Sequence, residues 1–339
     1  MHLPALILAA ALAAGTGNAS TTYDPLRVSD ARITSQTFEV KDAKRSRTLP
    51  IRVYLPASSA PAPVILFSHG LGGSCNNNPY LGNHWAKRGY LVVFVQHPGS
   101  DETIWKSLPP LQRKAAMDHA ASAKNYILRT RDIPAVLDTL TRWNDDTTHP
   151  LHHRLDLDRI GMSGHSFGAL TTQSMAGQKS LRNTSFREPR IDAAVMMSPS
   201  PPRAGNPAPA FAGIDIPCLL LTGTHDNSPF GKKDAAERLK VFPHLTLAPA
   251  WQVVFDQANH MTFGERDLQG KPPRDPRYHR AILALTTAFW DSTLKADPAA
   301  KIWLNGKGAK SVLSPDDRWQ SNPAASRKSI PAKAADQAS

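Results

Sequence analysis

Arg159-Ile160-Gly161-Met162-Ser163-Gly164-His165-Ser166-Phe167-Gly168-Ala169-Leu170-Thr171-Thr172-Gln173-Ser174-Met175-Ala176 is the stretch that decides the fold. Its first part is a short apolar strand and its last part a helix. Between them stands Gly-x-Ser-x-Gly. A serine between two glycines at a strand-to-helix turn is a nucleophile elbow: the turn thrusts the hydroxyl above the sheet, and side chains in place of Gly164 and Gly168 would collide with neighbouring backbone. The helix N-terminus behind Ser166 favours negative charge developing there. Ser163, three residues earlier, sits in the strand end without the flanking glycine pair. The bland alternative is a Gly/Ser-rich surface turn.

Working outward, the chain carries continuous apolar runs: Val64–Phe67, Leu91–Val95, Ala193–Met197, Leu219–Leu221 and Val253–Phe255. Runs without alternation are strands buried on both faces, as in a parallel sheet covered by helices. Phe38–Val40 and Ile51–Leu55 do alternate, which predicts a half-buried antiparallel hairpin. Arg131–Trp143 and Tyr278–Leu294 show helical periodicity, with Ile133, Val136, Leu137 and Leu140 on one face of the first and Ile282, Leu283, Leu285 and Phe289 in the second. The pattern is one of repeated βα units in an α/β domain.

In such a domain the remaining catalytic groups belong on loops after strands, in the order Ser, Asp or Glu, His. Asp226 follows the Leu219–Leu221 run, and His260 follows the Val253–Phe255 run. The imidazole would take the Ser166 proton and return it to the leaving group, with Asp226 fixing its tautomer. Asp256 is the rival acid. His97 comes too early in the order, His225 adjoins Asp226 at the rim, and Asp215 precedes its strand. The run Val64–Phe67 leads into Ser68-His69-Gly70-Leu71-Gly72-Gly73-Ser74, a glycine-rich loop able to bring its backbone close to a substrate. Leu71 and Phe167 are the expected backbone N–H donors to an oxyanion. No Lys-Ser/Thr follows the glycines, which excludes a nucleotide-binding P-loop, and His69 suits bracing of the loop. His149, His152 and His153 cluster without Cys or Glu partners, so no metal or other cofactor is expected.

These residues resemble a family. Phe67–Gly72, Gly164–Gly168, Asp226 and His260, together with Gly89–Val93, His97-Pro98-Gly99-Ser100 and Arg131-Asp132-Ile133, are similar to the platelet-activating-factor acetylhydrolase and predicted dienelactone hydrolase branch of the α/β-hydrolases, over roughly Phe38 to Leu304. The resemblance implies an α/β-hydrolase fold, a mostly parallel sheet of about eight strands with helices on both faces, and a Ca²⁺-independent serine esterase. Ala169 stands where several relatives carry a second glycine. Ser166 replaces the cysteine nucleophile of true dienelactone hydrolases, which points away from lactone chemistry. A peptidase or amidase of the same fold, and a non-catalytic binding protein on this scaffold, are the alternatives; the length leaves little room for the propeller or cap domain such peptidases carry.

The 339 residues form three expected parts: a signal peptide (1–19), a catalytic domain (20–305) and a flexible basic tail (306–339). The apolar run Leu3–Ala14 is too short to span a bilayer, and Gly17-Asn18-Ala19 has the small residues of a cleavage site, which predicts a periplasmic or secreted protein. No later stretch is apolar enough for a membrane span. The formal charge of +12 is spread along the chain, which argues against nucleic acid as a partner and leaves a small-molecule or lipid ester. Two cysteines exclude a disulfide scaffold; Cys75 follows one strand and Cys218 begins another, which sets them at opposite sheet edges as separate thiols. Pocket walls are expected from Pro98 to Lys114 and from Pro199 to Phe211, with Trp105, Phe230 and Met261 contacting substrate, in a cleft open enough for short-chain or oxidised-lipid acyl groups.

Overall fold

The computed structural model describes residues 23–180, 183–202, 205–230, 234–265 and 275–322. The proposed signal peptide lies outside the described residues. Among the described residues nine strands form one sheet in the order β1-β2-β4-β3-β5-β6-β7-β8-β9. β1 (Thr34–Asp42) and β2 (Arg47–Leu55) make the expected hairpin, with Phe38 opposite Ile51. β3 (Ala62–Ser68), β4 (Leu91–Val95), β5 (Leu155–His165), β6 (Ile191–Met197), β7 (Cys218–His225) and β8 (Ala250–Asn259) run parallel to one another. The count exceeds the expected eight because β9 (Arg318–Asn322) pairs antiparallel with β8.

The continuous apolar runs have a simple cause. Val64 and Leu66 of β3 point into one core, and Ile65 and Phe67 into the other. The first core is closed by α3 (Ala123–Asp145) and α4 (Phe167–Ala176), through Ile133, Val136, Leu140, Ala169 and Met175. The second is closed by α1 (Pro79–Lys87) and α7 (Arg277–Thr293), through Leu81, Trp85, Ile282, Leu285 and Phe289. The central strands must therefore be largely apolar on both faces, whereas each helix needs only one stripe. The remaining α-helices among the described residues are α2 (Pro110–Ala120), α5 (Ala208–Phe211), α6 (Ala235–Arg238), α8 (Pro298–Asn305) and α9 (Lys307–Ser311).

Two expectations are corrected. α3 begins at Ala123, before the apolar periodicity expected from Arg131, because the Ser122 side chain caps it by accepting from the Asn125 N–H. The segment from 306, expected as a mobile tail, contributes α9 and β9 to the fold; its last residues, 323–339, lie outside the described set. β9 reads as polar because an edge strand needs backbone pairing more than an apolar face. Trp319 packs against the second core, and Asp317 accepts from the Asp256 N–H at 2.7 Å. Cys75 and Cys218 are separate buried thiols, each pushed up in pKa by burial.

Parallel pairing brings the C-terminal ends of β3 to β8 to one edge of the sheet. Ser68, Ser166, Asp226 and His260 all lie at or just beyond that edge.

Candidate active site

Ser166 is the single residue between β5 and α4. Its backbone has φ +57° and ψ −113°, a combination a serine holds only when its surroundings impose it. The surroundings are unusually tight. A Cβ at Gly164 would lie 2.4 Å from the Gly168 backbone, and one at Gly168 would lie 1.8 Å from the Ser68 carbonyl oxygen. The two glycines thus let the elbow pack directly on the end of β3. The Ser166 N–H donates to the Met197 carbonyl at 3.0 Å, which ties the turn to β6 as well.

His260 opens a 3-10 turn (His260–Phe263) held by a capping box: Asn259 accepts from the Met261 N–H, and Thr262 accepts from the Asn259 N–H. From this position His260 Nε2 lies 2.9 Å from Ser166 Oγ. Its Nδ1 lies 2.6 Å from Asp226 Oδ1. The other Asp226 oxygen accepts from Thr222 Oγ1 at 2.8 Å. Asp226 is fully buried; burial raises its pKa, but the hydrogen bond from His260 and the charges of His260 and Arg238 outweigh it, and the carboxyl sits below its ordinary range. Arg238, also buried, donates to the carbonyls of Ser198, Pro199 and Asp226, which fastens the loop after β6 to the loop after β7.

The rival acid is turned away. Asp256 meets the Thr224 hydroxyl at 3.4 Å, and its carbonyl accepts from Tyr278 and Arg277. His225 is exposed at the end of β7, and Asp215 pairs with Arg187 on the surface. His149 stacks on Trp143, and His152 is bonded to the Asn144 carbonyl, so this cluster closes the turn between α3 and β5. Among the described residues no group of three His, Cys, Asp or Glu is arranged to hold a metal.

The glycine-rich loop passes beside the nucleophile: a Cβ at Gly70 would lie 3.6 Å from that of Ser166. Leu71 follows at once. Phe167 is the first residue of α4, where a backbone N–H has no acceptor within the helix. The loop is braced on several sides. Gly72 N–H donates to the Ser100 carbonyl at 2.8 Å, and the Trp105 indole donates to the Gly72 carbonyl at 2.8 Å. His69 lies beneath: Nδ1–H donates to the Gly70 carbonyl, and Nε2 accepts from the His97 N–H. Burial holds His69 neutral, well below the usual histidine pKa, with the Arg129 charge adding to the effect.

Ser166 and His260 form part of the floor of a cavity of about 820 Å³. Trp105, Phe230 and Met261, the residues expected to contact substrate, are among its lining residues. Of the two expected wall segments only Pro98–Lys114 contributes; none of the described residues from Pro199 to Phe211 lines the cavity, because Arg238 and Gln173 hold that segment's start inward, away from the mouth. The lining also includes Asn76–Pro79, Glu265 and, from α2, Met117 one turn beyond Arg113. Sequence reading missed Asn76–Pro79, Glu265 and Met117. Only the spacing of Arg113 and Met117, one helical turn apart, could have placed both on one face.

No family model matches the chain, and no curated protein matches it. A solved structure of a ferulic acid esterase from Streptomyces cinnamoneus is similar, with a TM-score of 0.57 at 20% identity, over 80% of this chain and 94% of that one. The chain has the α/β-hydrolase fold. The likeness speaks to the fold and not to the platelet-activating-factor acetylhydrolase or dienelactone hydrolase branch. Within the described residues of this hydrolase fold, no helix is long and apolar enough to cross a membrane.

Proposed function

We propose that the protein is an exported serine hydrolase of carboxylic esters, acting on short-chain or lipid acyl groups through an acyl-enzyme. The observation that carries this reading is the continuous line Ser166 Oγ, His260 Nε2, His260 Nδ1, Asp226 Oδ1, with contacts of 2.9 and 2.6 Å, at the floor of an open cavity. Asp226 accepts a hydrogen bond from His260 Nδ1–H, which leaves the Nε2 lone pair facing the serine hydroxyl. As Ser166 Oγ bonds to the ester carbonyl carbon, its proton passes to His260 and the carbonyl oxygen becomes an oxyanion. The Leu71 and Phe167 N–H groups are the donors proposed to receive that charge. Collapse breaks the bond to the alcohol, which leaves with the proton from His260. Water then repeats the sequence on the acyl-enzyme and releases the acid. The scheme uses no metal or cofactor.

The mostly apolar walls, Trp105, Met117, Phe230 and Met261, suit an acyl or aryl group, and the ferulic acid esterase neighbour is in keeping with an ester. Export rests on Leu3–Ala14 and Gly17-Asn18-Ala19. The test is a fluorophosphonate probe with mass-spectrometric location of the adduct, followed by p-nitrophenyl esters from acetate to palmitate and matched anilides. The expected result is labelling at Ser166 and turnover of esters. Faster turnover of anilides would make the protein an amidase, and absence of both labelling and turnover would leave a binding protein on a hydrolase scaffold.

A further inference from the structure

Beneath the site lies a second Ser-His-Asp line that the mechanism does not use. Ser68 Oγ is 2.9 Å from His97 Nε2, and His97 Nδ1 is 3.0 Å from Asp132 Oδ2. All three residues are completely buried, so no substrate reaches them. Asp132 also pairs with Arg45 and Arg47, each within 3.0 Å. The Ser68 oxygen is not available as a nucleophile either, because it accepts from Arg129 Nη2 at 2.9 Å.

Arg129 is the centre of this cluster. It comes from α3 and is only 1% exposed. Its guanidinium reaches three separate elements. Nη2 bonds Ser68 Oγ and the His69 carbonyl at the base of the glycine-rich loop. Nη1 bonds Ser100 Oγ at 3.1 Å, and the Ser100 carbonyl in turn accepts the Gly72 N–H. Nε bonds Thr171 Oγ1 at 3.1 Å; the Thr171 hydroxyl donates to the Phe167 carbonyl at 3.1 Å, and the Phe167 ring lies 4.7 Å from the guanidinium carbon. One rigid fork thus touches both structures that carry an expected oxyanion donor: the loop with Leu71 and the first turn of α4 with Phe167.

We propose that Arg129 is a positioning residue for ester hydrolysis: it locks the Leu71 loop to the Phe167 turn so that the two N–H groups converge on one point. The proposal rests on the serine-hydrolase reading above. A planar five-donor fork is suited to this task where a lysine ammonium is not, since the acceptors lie in different directions. Burying an arginine without a carboxylate in direct contact is costly, and an apolar side chain would fill the space more cheaply. What the cation supplies is geometry. The supporting line to His97 and Asp132 orients the Ser68 hydroxyl: His97 Nδ1–H faces Asp132, so His97 Nε2 accepts from Ser68, and the Ser68 lone pairs are left for Arg129. Burial, with the Arg129 charge, holds His97 neutral at a pKa of about 4, which keeps this arrangement through the neutral range.

The experiment compares wild type, Arg129→Lys, Arg129→Met and Thr171→Val. For each, kcat and KM on a short p-nitrophenyl ester are measured, with affinity for an alkyl trifluoromethyl ketone, which forms an oxyanion adduct on a serine, and for the product acid. Misplacing an oxyanion donor costs on the order of 10²-fold in rate. Both Arg129 variants should lose about that much kcat, with KM and product affinity within about threefold. Ketone affinity should fall in proportion to kcat/KM. Thr171→Val removes one acceptor in an isosteric way and should show the same proportionality at about tenfold or less. It keeps the test open if the Arg129 variants do not fold. A purely structural role would lower thermal stability while leaving the ratio of ketone to product affinity unchanged, and that result in any folded variant overturns the proposal. A wild type without turnover or Ser166 labelling overturns instead the hydrolase reading on which it stands.

Discussion

Replacing Gly168 with alanine gives the sharpest test of how the elbow is built. The added Cβ would lie 1.8 Å from the Ser68 carbonyl oxygen, 2.6 Å from its carbon and 2.9 Å from the His69 carbonyl oxygen. All three neighbours are backbone, so no side chain can swing aside. Since Cβ contacts under 3.0 Å essentially never occur, the first turn of α4 and the end of β3 must separate by at least about 1.2 Å, the difference between 3.0 and 1.8 Å. Overpacking of this kind costs about 1–3 kcal/mol, and the rigidity of the neighbours places this site at the upper end. For a domain of this size about 3 kcal/mol corresponds to a loss of roughly 6 °C in Tm. The same separation moves Ser166 and the Phe167 N–H relative to the Leu71 loop, and a misplacement of about 1 Å can cost 10²-fold in kcat/KM. The sign is diagnostic, because glycine to alanine in a helix otherwise gains up to about 1 kcal/mol. The assays are calorimetric melting and ester turnover, with Gly70→Ala as the comparison; its Cβ would meet His165 and Ser166 at 3.5–3.6 Å, ordinary contact distances. Gly70→Ala should keep its Tm within about 1 °C. A Gly168→Ala protein that melts at or above the wild-type temperature and keeps its activity would refute the packing argument.

Ser166→Ala should lower kcat by at least ~10³-fold with little change in Tm, and should abolish fluorophosphonate labelling. Asp226→Asn should cost on the order of 10³–10⁴ in kcat by favouring the wrong His260 tautomer, whereas Asp256→Asn should stay within about threefold; the reverse order would move the acid. Trp105→Ala removes both a cavity wall and the bond to the Gly72 carbonyl, so KM should rise and kcat should fall, about tenfold each, in steady-state kinetics on aryl esters. Acid should destabilise the fold in two windows. His97 and His165 are held neutral by burial, at pKa values of about 4 and about 3 against an ordinary 6.5, so the unfolded chain binds more protons and Tm should drop as pH falls from 6.5 toward 4. Asp132 has its pKa lowered to about 2 despite burial, by the hydrogen bonds and charges of His97 and Arg47, so its contribution is lost only below about pH 4. Replacing His97 with Gln should flatten the first window in a pH series of melting curves; an unchanged slope would count against it.

Much of the fold was legible because its causes are local. Strands buried on both faces are largely apolar on both, and β3, β4, β6, β7 and β8 stand out for that reason. The elbow was legible because its two glycines are required by a contact that any side chain would break, and Asp226 and His260 because each follows a strand in a fixed order. What the sequence did not disclose depends on partners remote in the chain. β9 is polar and becomes a strand only because β8 offers it a free edge. The lining of one cavity by both Asn76–Pro79 and Met117 of α2 exists only once β3 and β4 lie side by side. Arg129 looked like one more charge in a basic chain; its burial is decided by Ser68, Ser100 and Thr171, which lie 61, 29 and 42 residues away. Periodicity and propensity act over a few residues, so they specify which segments become strands and helices, whereas a buried polar group is satisfied only by acceptors that the completed fold brings to it.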